Sequence, residues 1–311
     1  MGGSVTVVIV HYRCVEAIGR LLGDLGRDPE VARIIVIDNA SSPLSARRLQ
    51  EKGSGVGIPF TLIENPENRG FARAVNQGLA LLATPYALVL NPDCRIPEPV
   101  LPRLVAVMER MPQAGLVGCR IVNPDGTEQR GDRRLLPDPA RSLFRVLGLG
   151  RIGLGTGRPL GFDLAGGPLP EAPVGVEAIS GAFLLVRAKA LAEVGGMDEG
   201  YFLHGEDLDW CHCFHDRGWS IIFVPDVSVI HAGGLAGASR PLAVLWHKHR
   251  GMWRYYLKFH GAGDPWILRA LVFTGIALRL VVLSLATLLV LPFRQRSTRA
   301  SMPDHAQAGD V

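Results

Sequence analysis

Cysteine is scarce in this chain, with five residues in 311: Cys14, Cys94, Cys119, Cys211 and Cys213. An odd number without scaffold-like spacing excludes a disulfide-stapled fold and predicts reduced thiols in a cytosolic compartment. No charged-then-apolar leader opens the chain, which agrees with that compartment. A strong charge of one sign is missing too. The 33 Lys and Arg against 29 Asp and Glu leave +4, too small an excess to predict a nucleic-acid partner. The G-x-G-x-x-G fingerprint of a dinucleotide-binding oxidoreductase is absent, because Gly53-Ser54-Gly55-Val56-Gly57 has another spacing and runs into Ile58-Pro59 and a strand. Half of a zinc-deaminase signature, His204-Gly205-Glu206, lacks its complement: Cys211-His212-Cys213 is spaced C-x-C and comes too soon.

What remains is enough apolar material for a substantial core, 48% hydrophobic against 20% charged. The first hundred residues alternate short β-branched runs with helical periodicity, the pattern of a mostly parallel sheet flanked by helices in an α/β protein. Val5–Val10, Ile34–Ile37, Phe60–Ile63 and Tyr86–Leu90 read as strands. Val15, Ile18, Leu21, Leu22 and Leu25 recur at helical spacing between the first two, and Phe71, Ala74, Val75, Gly78, Leu79 and Leu82 between the last two. From Gly131 to Gly175 the chain fills with Gly, Pro and Arg and loses its period, which predicts a long mobile segment of the kind enzymes use as lids. Ala182–Arg187 and Ser220–Val224 read as further strands, so the compact domain is expected to span residues 1–240.

The early strands end in polar residues: His11 after the first, Asp38-Asn39 after the second, Asn91-Pro92-Asp93 after the fourth. Each alone reads equally well as a surface turn. Three at the carboxyl edge of one sheet point to a ligand site, because open parallel sheets bind there. Met197–Trp210 gathers Asp198, Glu199, Glu206, Asp207 and Asp209 with Tyr201, Phe202, His204 and Trp210. Carboxylates packed beside rings repel one another and lose hydration, which raises at least one pKa into the range of a general base. His231 follows a short apolar run and precedes glycines; alone it reads as a structural histidine, and paired with a carboxylate such as Asp93 it becomes a candidate oxygen–nitrogen site for a divalent cation.

The ordered set VVIVHY, IDNAS (Ile37–Ser41), ENRGFARAVNQG (Glu67–Gly78), LNPD (Leu90–Asp93), SGAFLLVR (Ser180–Arg187), GGMDEGYFLHGEDLDW (Gly195–Trp210) and VIHAGG resembles the family 2 glycosyltransferases over residues 4–235, and within them the bacterial rhamnosyltransferase-type branch. The resemblance implies a GT-A nucleotide-diphospho-sugar transferase fold. It implies that Asp38 reads the pyrimidine, that Arg69 lies near the nucleotide, and that Asn91 stands where the family's Asp-x-Asp motif has its first aspartate. Asp93 then keeps the metal role, for Mg²⁺ or Mn²⁺, with His231 on metal or diphosphate, and Asp207 is the base with Glu206 beside it. Asp207 would accept the acceptor hydroxyl's proton as that oxygen attacks opposite the leaving diphosphate, inverting the anomeric centre. The donor implied is dTDP-rhamnose, with a UDP-sugar as alternative. Two rivals share the fold: a catalytically inactive sugar-binding scaffold and a nucleotidyltransferase.

Beyond residue 240, Trp246–His260 interleaves cations with aromatics, and Ala270–Phe293 is apolar apart from Arg279 and a few small residues. The run is long enough to cross a bilayer. Arg279 in its middle and cations at both ends leave three arrangements open: a span, an interfacial or re-entrant helical pair, and a buried core helix. Residues 241–296 are expected to associate with the cytoplasmic face of the inner membrane, Lys248, Arg250, Arg254 and Lys258 meeting anionic headgroups, and 297–311 to be a disordered tail. A membrane-seeking C-terminus suggests a saccharide acceptor linked to polyprenyl diphosphate, as used in cell-surface glycan synthesis.

Overall fold

The computed structural model describes residues 3–138, 141, 162–233 and 240–300, with side chains described as far as residue 289. Strands β1 (Val5–His11), β2 (Val31–Asp38), β3 (Phe60–Glu64) and β4 (Tyr86–Leu90) form the parallel half of a sheet ordered β3-β2-β1-β4. The order continues through β10 (Phe183–Arg187), β6 (Ala114–Val122), β11 (Ser220–His231) and β5 (Cys94–Arg95), with β8 (Val174–Val176) on β11. β10 runs antiparallel to β4 and β6, and β11 parallel to β6, so the sheet is mixed with a parallel majority. The small sheet β7 (Arg133–Arg134) and β9 (Ala178–Ile179) stands beside it.

Both faces of the sheet are covered, which is why its strands read as unbroken apolar runs. Val5, Val7 and Ile9 pack with Ile18, Leu21, Leu22 and Leu25 of α1 (Val15–Leu25) and with Leu101, Leu104 and Met108 of α4 (Leu101–Arg110). The alternate residues Val8 and Val10 face Ala72, Ala74 and Val75 of α3 (Phe71–Leu79), in one cluster with Trp210 and Phe214 of α6 (Glu206–Asp216). Each such side chain contributes about 1.5–3 kcal/mol on leaving water. Helix α2 (Pro43–Ser54) is capped by Ser42, whose hydroxyl accepts the Ser45 N–H at 3.2 Å, with Pro43 pre-set in the first turn. α5 (Ala188–Val194) follows β10 directly.

Helix α7 (Pro241–Phe259) packs on the chain leading into α6: Arg254 grips Asp198 at 2.7 Å, Lys258 reaches buried Asp209 at 2.7 Å, and Gly251 lies against the His204 carbonyl. α8 (Trp266–Ala300) then runs as one continuous helix, so residues 297–300 are helical where the sequence predicts a tail, and 301–311 lie outside the described residues. A buried core helix is ruled out by the exposure of Trp266, Leu271, Leu278, Leu285 and Leu289, and a re-entrant pair within 270–293 by the unbroken helix. Arg279 is covered by α7, donating to His249 Nε2 at 2.8 Å.

The expected mobile segment at 131–175 needs a correction in its first part. Asp132, Arg133 and Leu135 are buried, and β7 pairs with β9 through Arg133↔Ile179 and Arg134↔Ala178. A two-residue strand has no period for a sequence reading to detect. Residues 139, 140 and 142–161 of that segment lie outside the described residues.

Candidate active site

The carboxyl ends of β1, β2 and β4 bring His11, Asp38 and Asn91 to one edge, with His11↔Asp38 adjacent in register. Buried His11 accepts the Cys14 N–H on Nδ1 at 3.4 Å, which leaves Nε2–H to donate to Ser45 Oγ at 3.2 Å. Burial lowers its pKa against the pull of Asp38, so the ring is neutral and structural. Asp38 is buried and accepts the Ser41 N–H at 3.0 Å. Asn39 ties this edge to the next loop, accepting from the Arg69 N–H at 3.0 Å and donating to the Gly70 carbonyl at 3.1 Å. The Arg69 side chain itself is exposed at the rim.

β5 and β11 explain how Asp93 meets His231, 138 residues away in the chain. Their antiparallel pairing sets His231 opposite Cys94, and Asp93 Oδ1 comes to 3.1 Å from His231 Nε2. Gln129 Nε2 donates to the His231 carbonyl and to Asn123 Oδ1, so Gln129 Oε1 is the atom 2.7 Å from His231 Nδ1. Nδ1 therefore carries a hydrogen, and Nε2 lies 3.3 Å from Asn91 Nδ2 and 3.1 Å from the Asp93 carboxylate. Two ligands at right angles around Mg²⁺ stand about 3 Å apart, so the pair fits a divalent ion. Among the described residues no three His, Cys, Asp or Glu groups converge; further coordination would fall to ligand oxygens and water.

The third group opens α6. Asp207 Oδ2 accepts from Arg134 Nη2 at 2.6 Å and from the Gly181 N–H at 3.2 Å, and Oδ1 accepts the Leu208 N–H at 2.9 Å. Burial acts to raise the Asp207 pKa, but the charge and hydrogen bond of Arg134 outweigh it and hold the carboxyl below its ordinary range. Glu206 is buried, one of its oxygens has no partner, and burial with the neighbouring Asp207 charge pushes it up to about 8. Ala182, next to Gly181, accepts the Asn91 N–H at 3.0 Å, so the carboxylate pair adjoins the Asp93–His231 pair through adjacent strands.

The rest of the acidic stretch is structural. Asp198 is held by Arg254 and Lys258, Glu199 by Arg73 at 2.7 Å, and Asp209 by Lys258 and the Tyr201 hydroxyl at 3.0 Å. Arg134 and Gln129 are the site residues that motif and spacing do not reveal. Backbone strain marks the same region: among the described residues, those with left-handed φ other than glycine are Arg13, Ala40 and His204, on the loops after β1, after β2 and before α6.

The profile of the Glycosyl transferase family 2 matches residues 6–162, which carry the parallel strands and the Asp93 turn. The chain belongs to glycosyl transferase family 2. It is 27% identical over 276 residues to an N-acetylglucosaminyl-diphospho-decaprenol L-rhamnosyltransferase of Mycobacterium tuberculosis, covering 81% of this chain and 87% of that one. It is 26% identical to the rhamnosyltransferase WbbL of Escherichia coli over 73% of this chain and 83% of the relative. A mannosyltransferase of Pyrobaculum calidifontis, solved with GDP-Man and Mn²⁺, superimposes with a TM-score of 0.56 at 16% identity over 96% of this chain and 84% of its own. This family 2 enzyme thus has the GT-A fold and is a glycosyltransferase acting on a nucleotide sugar.

Proposed function

We propose that the chain is an inverting rhamnosyltransferase that moves rhamnose from dTDP-rhamnose to a hydroxyl of a saccharide carried on a polyprenyl diphosphate, at the cytoplasmic face of the inner membrane. The observation that carries the reading is the adjacency of two unlike pairs at one sheet edge: Asp93 with His231, and Asp207 with Glu206. The similarity to rhamnosyltransferases supports the donor, and the printed acceptor of the mycobacterial relative supports a lipid-linked saccharide. A UDP-sugar is the second donor choice. An inactive scaffold would have no need to keep Asp93, Asp207 and His231 in these relations.

In this reading Asp38 receives the pyrimidine, and Arg69, held by its N–H on Asn39, stands near the nucleotide's phosphates. Asp93 and His231 would hold Mg²⁺ or Mn²⁺, whose chemistry there is to neutralise charge on the departing diphosphate. Asp207 Oδ1 takes the acceptor hydroxyl's proton while that oxygen attacks the anomeric carbon opposite the leaving group, which inverts its configuration. Among the described residues one helix, Trp266–Leu289, is long and apolar enough to cross a membrane, and it supplies the surface that keeps the enzyme beside a lipid-linked substrate.

A thermal-shift panel of nucleotide sugars with and without Mn²⁺ tests the donor, because a ligand that binds only the folded state raises the melting temperature. A metal-dependent rise with dTDP-rhamnose above that with UDP- and GDP-sugars is expected. A larger rise with a UDP-sugar would replace the donor, and no rise with any nucleotide sugar would count against the transferase reading.

A further inference from the structure

Two carboxyl groups adjacent in sequence open α6, and both are largely withdrawn from water, Glu206 buried and the Asp207 side chain 16% exposed. Like charges so close do not both ionise readily, so one of the two holds a proton. Their surroundings are unequal. Asp207 Oδ2 takes a charged hydrogen bond from Arg134 and a second from Gly181, whereas Glu206 Oε2 is buried without a partner. Arg134 is fixed independently: its Nη2 also donates to the Ile179 carbonyl at 2.7 Å, and its backbone pairs with Ala178 across the small sheet. Gly181 completes the grip. A Cβ there would lie 3.0 Å from Asp207 Cβ, so a larger residue would crowd the carboxylate where it meets that N–H.

The geometry points to Arg134 as a positioning residue for the transfer reaction: by holding Asp207 Oδ2 it makes Asp207 the ionised member of the pair, leaves the proton on Glu206, and leaves Oδ1, bonded only to the Leu208 N–H, as the oxygen that takes the acceptor's proton. This rests on the reading of Asp207 as the base. Among the described residues the other titratable groups facing the pair are His204 on the loop before α6 and Cys211 one turn along it, while Asp163 acts on Arg134 from the side. The direction of the two carboxyl shifts, Asp207 down and Glu206 up, agrees with this division. Protons balance. As the acceptor oxygen bonds to the anomeric carbon and the diphosphate carries away the old bond's electrons, the hydroxyl proton passes to Asp207, and the pair holds two protons until one returns to water.

The test uses the full chain in detergent with Mn²⁺, dTDP-rhamnose and a short-chain diphosphate-linked N-acetylglucosamine. Arg134→Met is expected to lower kcat on the order of a hundredfold with little change in donor KM, and to move the acid limb of the kcat/KM profile to higher pH. The limb rises because an Asp207 without its cation holds its proton to higher pH. Arg134→Lys should regain part of both. Placed in an Asp207→Asn background, Arg134→Met should cost no more than about threefold, because a residue acting through Asp207 has nothing left to position. An unmoved acid limb, or a full loss in that background, would overturn the proposal and make Arg134 a structural or substrate-contacting group. Infrared spectra of the carboxyl groups decide the matter even if Arg134→Met does not fold. At neutral pH, in an Asp132→Asn background that removes the other raised carboxyl, a protonated-carboxyl band should vanish in Glu206→Gln and persist in Asp207→Asn, and the reverse pattern would overturn the assignment. Absence of transfer by the unaltered chain would count against the transferase reading itself, whereas the infrared result stands apart from turnover.

Discussion

At the scale of single residues the account separates binding from chemistry. Asp93→Ala removes one of the two groups to which the proposed cation is assigned, the carboxylate 3.1 Å from His231 Nε2. Calorimetry should show loss of the metal-dependent part of donor affinity, and unchanged affinity with unchanged metal dependence would contradict the assignment. Asp207→Asn keeps the shape of the side chain and its bond from Arg134 but cannot take a proton. Turnover should fall about a hundredfold or more with donor affinity nearly intact, the usual scale for losing a general base. Asp209 is no substitute, since it is 1% exposed and committed to Lys258 and Tyr201. The edge shared by His11, Asp38, Asn91 and Asp93 was legible because strand ends in a parallel sheet lie together, and His231 was picked out by the apolar run before it and the glycines after it. Arg134 was not, because what places it is a partner strand some 45 residues later, and no local period records that pairing. Gln129 was hidden for the same reason: its role comes from a contact with His231 across 102 residues.

At the scale of elements, legibility follows burial. β1, buried at all seven positions, announced itself as an apolar run, while β7 and β9 are two residues each and did not. The Met197–Trp210 stretch was legible as an acidic and aromatic cluster but not as partners, since Arg73 comes from α3 and Arg254 and Lys258 from α7. α7 is part of the catalytic body by its contacts, whereas α8 presents apolar side chains outward and touches that body through α7. A cut after Asp264 keeps the Tyr256–Asp264 hydrogen bond and removes only α8. The shortened protein should move to the soluble fraction and still bind donor, with transfer to a lipid-linked acceptor falling far more than transfer to a short soluble analogue. Aggregation with loss of donor binding would mean that the catalytic body depends on α8 for its stability. Carbonate extraction of the full chain separates insertion from surface binding, because a spanning helix resists it.

At the scale of the whole molecule, the buried acids make stability depend on pH in a definite direction. Burial and Asp207 push Glu206 up to about 8, and burial with Glu128 pushes Asp132 up to about 7. A carboxyl whose folded pKa is raised binds its proton more tightly in the folded state, so its contribution is complete below the ordinary carboxylate range and is lost as pH rises through the folded value. Melting temperature should therefore decline between about pH 5 and pH 8 from these groups, and less in Glu206→Gln than in the unaltered chain. Equal slopes in both would mean that Glu206 does not hold its proton.

The measurement that bears most directly on the account is the product itself: incubation with Mn²⁺, dTDP-rhamnose and a diphosphate-linked N-acetylglucosamine, with the released nucleotide quantified and the new linkage assigned by NMR. The account predicts one nucleoside diphosphate released per sugar transferred, dependent on acceptor and slowed about a hundredfold or more in Asp207→Asn, with the anomeric configuration of the donor inverted. Retention of configuration, or release of inorganic diphosphate from a nucleoside triphosphate in place of sugar transfer, would contradict it.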